Sequence, residues 1–125
     1  MGHKSGPSRR PVKLARGNGA LVVFITAPSN EEAARLGRKL VEEGLAACAN
    51  LVPAVRSIYK WEGRVCDDQE VLLIVKTRRS RFKQVAETVK ALHSYTVPEI
   101  VAFPLEQGSA DYLKWLWAMT ANTKK

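Results

Sequence analysis

The sequence predicts a single α+β domain whose elements follow the order β-α-β-β-α-β, with one further helix at the end. Apolar, β-branched runs at 21–25 and 71–75 are typical of strands, and two segments between strands carry apolar residues at helical spacing. The length of 125 residues suits one domain. We expect this domain over residues 21–121, between a disordered basic tail at 1–20 and a short tail at 122–125.

The first strand and the first helix are marked by their ends. The apolar run 21–25 is followed by Pro28, which ends the strand. Ser29 is an N-cap candidate, and Glu32 is expected to reach back to it in a capping box. Gly44 is placed to end the helix. The apolar stripe between these ends contains Ala33, Leu36, Gly37, Leu40 and Val41.

A long β-hairpin is predicted between about residues 45 and 77. Pro53 cannot donate a ladder hydrogen bond, which indicates a bulge or an edge position. Gly63 supplies the unusual backbone angles of a turn. The returning strand 71–75 has no polar face.

The second half of the chain repeats the alternation of helix and strand. Ser80 is expected to start a helix, residues 99–105 form a strand that Pro104 interrupts, and Ser109 caps the last helix. The resulting order is that of the ferredoxin-like, split βαβ fold. Right-handed crossovers place both crossover helices on one face of the sheet.

The second face of this sheet predicts self-association. The first, third and last strands are apolar on both faces, whereas two helices cover only one. The area of such an apolar sheet face exceeds the few hundred Å² of contiguous apolar surface that a soluble monomer usually exposes. We therefore expect a homo-oligomer.

Charge and composition exclude several function classes. The net charge is +8, but residues 21–123 contain 13 basic and 12 acidic residues, so the basic excess lies in the tails. A nearly neutral body without a run of basic and aromatic residues argues against a nucleic-acid partner. No apolar stretch is long enough for membrane insertion. Two cysteines and no secretory segment favour a reducing, cytoplasmic location, with organellar import of a precursor left open.

Six stretches, in this order and spacing, resemble the CutA family of divalent-cation tolerance proteins. The resemblance covers about residues 22–119. The stretches are ITAPSNEEA at 25–33, LAACANLVP at 45–53, SIYKWEG at 57–63, VLLIVKT at 71–77, HSYTVPEI at 93–100 and YLKW at 112–115.

The resemblance implies a ferredoxin-like fold, a homotrimer similar to the nitrogen-regulatory PII proteins, and a response to metal ions, copper among them. It attaches no enzymatic reaction, and it implies a possible protein partner. In bacterial relatives a Cys and a His-His pair are implicated in copper binding, and the matching positions here are Ile25, Leu92 and His93. A metal site would therefore use His93, bind copper or another divalent cation weakly, and take carboxylates such as Glu99 from a neighbouring subunit. The alternative is that His93 forms a hydrogen bond at the end of the second helix.

The resemblance also implies a ligand cleft between subunits. Lys76 needs a carboxylate partner if it is buried, and Glu99 is the expected one. Structural ion pair and small-ligand site remain equal alternatives for these residues, while Tyr59 and Trp61 are expected to fill the subunit contact. The cleft residues are Lys76, Glu99, Tyr112, Trp61 and Gln107.

Three other functions are alternatives to this one. A small hydrolase of the acylphosphatase kind shares the strand order, but residues 26–29 lack the phosphate-binding loop that it needs. An RNA-recognition module would expose aromatic residues on an open sheet face. A trimeric scaffold for a protein partner stays compatible with the sequence.

Overall fold

The computed structural model describes residues 11–121, in which six strands and three helices follow one another along the chain. A 3₁₀ turn at Arg79–Arg81 precedes the second helix. The elements are β1 (Leu14–Arg16), β2 (Ala20–Ala27), α1 (Asn30–Glu42), β3 (Cys48–Trp61), β4 (Arg64–Arg78), α2 (Phe82–Leu92), β5 (Ile100–Pro104), β6 (Gln107–Ser109) and α3 (Ala110–Met119).

The central sheet confirms the predicted ferredoxin-like topology. Its four antiparallel strands have the order β3-β4-β2-β5. Helices α1 and α2 pack on one face of this sheet. The main core lies between them and the sheet and includes Val23, Ile25, Leu36, Leu40, Leu73, Val75, Val85 and Val89.

The predicted hairpin consists of β3 and β4, which are longer than the other two strands of the sheet. A bulge at Pro53 and Ala54, where Ala54 has φ +64°, interrupts the pairing between Val52 and Val55 as expected from the proline. The turn has positive φ at both Glu62 and Gly63. Strand β2 pairs only with the stretch 71–78 of β4. Residues 55–70 therefore extend beyond the sheet as a two-stranded projection, which we call the hairpin arm.

The second sheet face, which we call the open face, is apolar and only partly covered. Alternation along the strands places Val22, Phe24, Leu72, Ile74, Val101 and Phe103 on it. Helix α3 covers one end, where Leu113 and Leu116 pack on Ala20. At the far edge Val101 is 50% exposed and Phe103 is 45% exposed. Residues 11–121 thus place apolar side chains on this face, as predicted, and supply no covering layer over most of it.

The predicted disordered tail is too long. Within 1–20, strand β1 pairs with β6 in a small separate ribbon, with Leu14 opposite Ser109. The partner strand is distant in the sequence: Arg16 lies opposite Gln107 of β6, and the Gly17 amide donates to the carbonyl of Glu106 just before it. The tail segments 1–10 and 122–125 lie outside the described residues.

Two boundaries also differ from the prediction. Helix α2 begins at Phe82, because Ser80 lies in the 3₁₀ turn. Strand β5 begins at Ile100. Over residues 11–121, no helix combines the length and the apolar character needed to cross a bilayer.

Candidate functional site

His93, the predicted metal ligand, lies buried between β2 and the loop that follows α2. Its Nε2 is 2.7 Å from the carbonyl oxygen of Thr26, and its Nδ1 accepts a hydrogen bond from the Tyr95 amide at 3.0 Å. A carbonyl only accepts, so the two contacts fit a neutral ring with its proton on Nε2. Both ring nitrogens are therefore occupied within the chain. His93 does form a hydrogen bond, as the alternative predicts, but its acceptor is the Thr26 carbonyl of β2 and not a carbonyl at the end of α2.

Glu32 holds the loop after α2 against α1. Ser29 caps the helix as predicted, accepting from the Glu32 amide at 3.1 Å. The expected return contact is wrong, because Glu32 Oε2 instead accepts from the Ser94 amide at 2.8 Å and the Ser94 hydroxyl at 3.1 Å. Burial opposes ionisation, but the two hydrogen bonds from Ser94, together with the charge of Arg35, outweigh it and lower the pKa of Glu32.

A cavity of about 570 Å³ lies between the hairpin arm and the loop 95–99. Tyr59 and Trp61 of β3, Tyr95 of the loop, and the carboxylates Glu70 and Glu99 line it, and we call it the aromatic groove. The Tyr95 hydroxyl donates to Glu70 Oε2 at 2.7 Å. This volume is in the range of small-ligand sites.

Two tyrosine hydroxyls at the groove are held protonated. Burial, followed by the bond to Glu70, raises the pKa of Tyr95. The Tyr59 hydroxyl donates to Asp68 Oδ2 at 2.6 Å, and this bond raises the pKa of Tyr59 to about 12. The groove therefore presents protonated tyrosine hydroxyls beside the carboxyl groups of Glu70 and Glu99.

Lys76 forms a second polar cluster near the end of the open face that α3 covers. Its Nζ donates to Asn50 Oδ1 and lies 3.5 Å from Cys48 Sγ. Cys48 Sγ is in turn 3.8 Å from the Tyr112 hydroxyl, and burial, then this contact, raises the pKa of Tyr112 to about 12. We call Cys48, Asn50, Lys76 and Tyr112 the lysine cluster.

The expected ion pair between Lys76 and Glu99 is wrong within the chain. Strand β2 lies between β4 and β5, so their residues are never neighbours. Lys76 is level with Val22 at one end of β2, whereas Glu99 precedes the residue that pairs with Ile25 near the other end. The polar partners of Lys76 come from β3 instead.

The five predicted cleft residues thus fall into separate places. Trp61 and Glu99 line the aromatic groove, Lys76 and Tyr112 belong to the lysine cluster, and Gln107 lies in β6 opposite Arg16. Sequence reasoning missed Glu70, Cys48 and Asn50 as partners. The signal for the last two was their position on alternate residues of a strand that pairs with the Lys76 strand.

A metal centre does not fit the described part of a single chain. Over residues 11–121, no three His, Cys, Asp or Glu side chains lie close enough to hold a metal ion. His93, moreover, has no free ring nitrogen. Coordination of copper or zinc would need donors from more than one subunit and a rearranged His93.

Comparison with known proteins agrees with the sequence resemblance. The divalent-cation tolerance protein CutA of Thermus thermophilus is 57% identical over 95 residues, which cover 76% of this chain and 92% of that protein. The chloroplastic protein CutA of Arabidopsis thaliana is 47% identical over 103 residues, or 82% of this chain and 57% of the relative.

Solved structures agree in fold over most of the chain. The Thermus thermophilus divalent cation tolerance protein superposes with a TM-score of 0.80 at 54% identity, covering 82% of this chain and 99% of that one. CutA1 of Oryza sativa gives a TM-score of 0.81 at 45% identity, covering 83% and 95%. Residues 21–119 match the family profile described as CutA1 divalent ion tolerance protein. The chain therefore belongs to the CutA1 family.

Proposed function

We propose that the protein is a homotrimeric divalent-cation tolerance protein that catalyses no reaction and binds a metal ion or small ligand reversibly in clefts between subunits. The observation that carries the proposal is the open face. Its edge residues Val101 and Phe103 remain about half exposed, although they continue a sheet whose other face carries the main core.

The hairpin arm supports the same assembly. It extends past the pairing with β2, and Ile58 and Val65 on it are 65% and 72% exposed. A free two-stranded ribbon is marginally stable in water. Packing of the arm and the open face against neighbouring subunits would bury both, and a closed trimer leaves no open face unpaired.

The predicted ligand clefts adjoin the surface that this assembly would cover. The aromatic groove includes Thr26, which shares the open face with Leu72. Lys76 lies on the same face, level with Val22. A neighbouring subunit that covers the face would therefore border both polar sites.

Oligomeric mass tests the assembly. We expect sedimentation equilibrium to give three times the chain mass of 13.9 kDa. Val101→Asp places a charge on the open face and should dissociate the trimer. Val41→Asp is the matched control, because Val41 is 42% exposed on α1, on the other side of the sheet, and should leave the mass unchanged. A monomeric wild type, or equal masses for both variants, would contradict the proposal.

Metal binding is a separate part of the proposal and retains His93 as the ligand that the sequence offers. Coordination requires His93 to release Thr26 or the Tyr95 amide, so we expect weak affinity. Calorimetry with zinc and copper tests it with His93→Gln, and His3→Gln controls for the second histidine of the chain. Binding heat should disappear in the first variant and persist in the second. Heat unchanged in His93→Gln would remove His93 from the proposal.

The cellular location completes the proposal. We place the protein in the cytoplasm on its two free cysteines, Cys48 and Cys66. Relatives include proteins named chloroplastic, and the related protein of known structure from Archaeoglobus fulgidus is named as periplasmic. Fractionation of cells that express the full chain tests this, and protein recovered outside the cytoplasmic fraction would contradict it.

A further inference from the structure

The aromatic groove combines negative charge with aromatic walls. Glu70 is only 7% exposed, and one of its carboxylate oxygens accepts the bond from Tyr95. Glu99 lines the same cavity, and Asp68 binds the hydroxyl of Tyr59 at its side. Three carboxylates therefore lie in or beside a cavity of about 570 Å³.

No basic side chain of the described residues neutralises this charge. Over residues 11–121, neither Glu70 nor Glu99 forms an ion pair. Arg56 is engaged by Asp67, with two hydrogen bonds of 2.9 and 2.7 Å, on the face of the arm that points away from Tyr59. Arg64 lies opposite Trp61 but does not line the groove. A carboxylate as buried as Glu70 is costly without a cation nearby.

The side chains that line the groove determine which kind of cation it can bind. A divalent metal requires several oxygen or nitrogen donors in a compact shell, and no such group of three exists in the described part of the chain. Aromatic faces add nothing to that shell. They do attract an ammonium or guanidinium group, which is held by the ring electrons and by carboxylate hydrogen bonds together.

We propose that the aromatic groove binds a small organic cation that carries an ammonium or guanidinium group. The cation lies against Trp61 and Tyr59, and its N–H groups donate to Glu70 and Glu99. The inference rests on the proposed function in one respect: it names the ligand class of one of the predicted clefts. All residues used come from a single chain.

Titration with n-butylammonium tests the proposal, with 1-butanol as the uncharged probe of similar shape. The chain has three tryptophans, so NMR of their indole N–H groups locates binding. We expect the Trp61 signal to shift in a saturable way with butylammonium, while the signals of Trp115 and Trp117 stay in place. Butanol should have no comparable effect. Equal shifts with butanol, or a Trp61 signal that does not move, would overturn the proposal.

Substitution of the carboxylates gives the second test. Glu70→Gln keeps an acceptor for the Tyr95 hydroxyl while removing the charge, and should weaken butylammonium binding about tenfold or more. Glu99→Gln should weaken it as well. Glu106→Gln, the same change at an exposed position outside the groove, should leave affinity unchanged. If Glu70→Gln and Glu99→Gln bind butylammonium as tightly as the wild type, the organic-cation assignment is wrong. It is also wrong if zinc displaces butylammonium and both variants lose zinc binding.

The mass of each sample separates this inference from the proposed assembly. If wild type is a monomer yet Trp61 responds to butylammonium, the trimer fails and the groove proposal is supported. If a trimer forms and Trp61 does not respond to butylammonium, the groove proposal fails alone.

Discussion

Replacement of Glu32 by Gln tests the role of its buried carboxylate in holding the loop after α2. Glu32 Oε2 accepts two hydrogen bonds from Ser94, and only 8% of its side chain is exposed. A hydrogen bond to a charged group contributes about 1.5–3 kcal/mol and a neutral one about 0.5–1.5 kcal/mol. The amide oxygen of Gln reproduces the geometry without the charge. Two bonds, each weakened by about 1 kcal/mol, give an expected loss of about 2 kcal/mol in unfolding free energy at neutral pH.

The pH dependence of this loss follows from the lowered pKa of Glu32. A carboxyl whose pKa is lower in the folded than in the unfolded chain stabilises the fold when the pH lies above the unfolded pKa, which is about 4.5 for Glu32. That contribution is lost as the pH falls through the folded pKa. The wild type should therefore approach Glu32→Gln in stability as the solution becomes more acidic, because a protonated carboxyl resembles the amide.

Urea denaturation at a fixed protomer concentration measures both effects, since the stability of an oligomer depends on concentration. Glu31→Gln is the matched control. Glu31 lies one residue earlier in the same helical turn but is exposed, and its replacement should change stability by less than about 0.5 kcal/mol. Equal losses for the two variants, or a Glu32→Gln loss that does not shrink in acid, would refute the reasoning.

Three further predictions use other contacts. Thr77→Val removes the buried hydroxyl that donates to the Leu45 carbonyl at 2.6 Å and should cost about 1–3 kcal/mol in urea denaturation, whereas Thr77→Ser keeps the bond and should cost less. Gly63→Ala forces a side chain into φ +79° and should cost about 1–2 kcal/mol, unless the turn changes type, which its NMR shifts would reveal. The raised pKa values of Tyr59, Tyr95 and Tyr112 predict that ultraviolet titration shows little tyrosinate in the native protein at about pH 11. The tyrosines of the unfolded chain are mostly ionised at that pH. A titration midpoint near pH 10 in the native protein would contradict the prediction.

Much of the fold was predictable because it depends on neighbours in the sequence. The Ser29 and Ser109 caps each bond an amide three residues ahead, so their patterns are visible without a structure. The Pro53 bulge and the Gly63 turn follow from backbone restrictions of single residues. Apolar periodicity assigned the strands and helices, and their order then left one common topology.

The candidate site was only partly predictable, because its contacts join residues that are far apart in the chain. Glu32 matches the local capping pattern, yet its carboxylate binds Ser94, 62 residues later. Lys76 is half-buried near the end of an apolar strand, which favours a polar partner, but the strand order determines that the partner is Asn50 and not Glu99. Local sequence patterns therefore predict the kind of partner that a side chain takes, but not which residue of the chain supplies it.

The sequence by itself determined the kinds of elements, their order, the hairpin and the apolar character of both sheet faces. Tertiary structure alone decided the β1–β6 ribbon, the partners of Lys76, and the place of Glu70 beside Tyr59 and Tyr95. The physical reason is the range of the interactions. Helix caps and turns are set within three or four residues, whereas register across a sheet is set by the packing of all its strands at once.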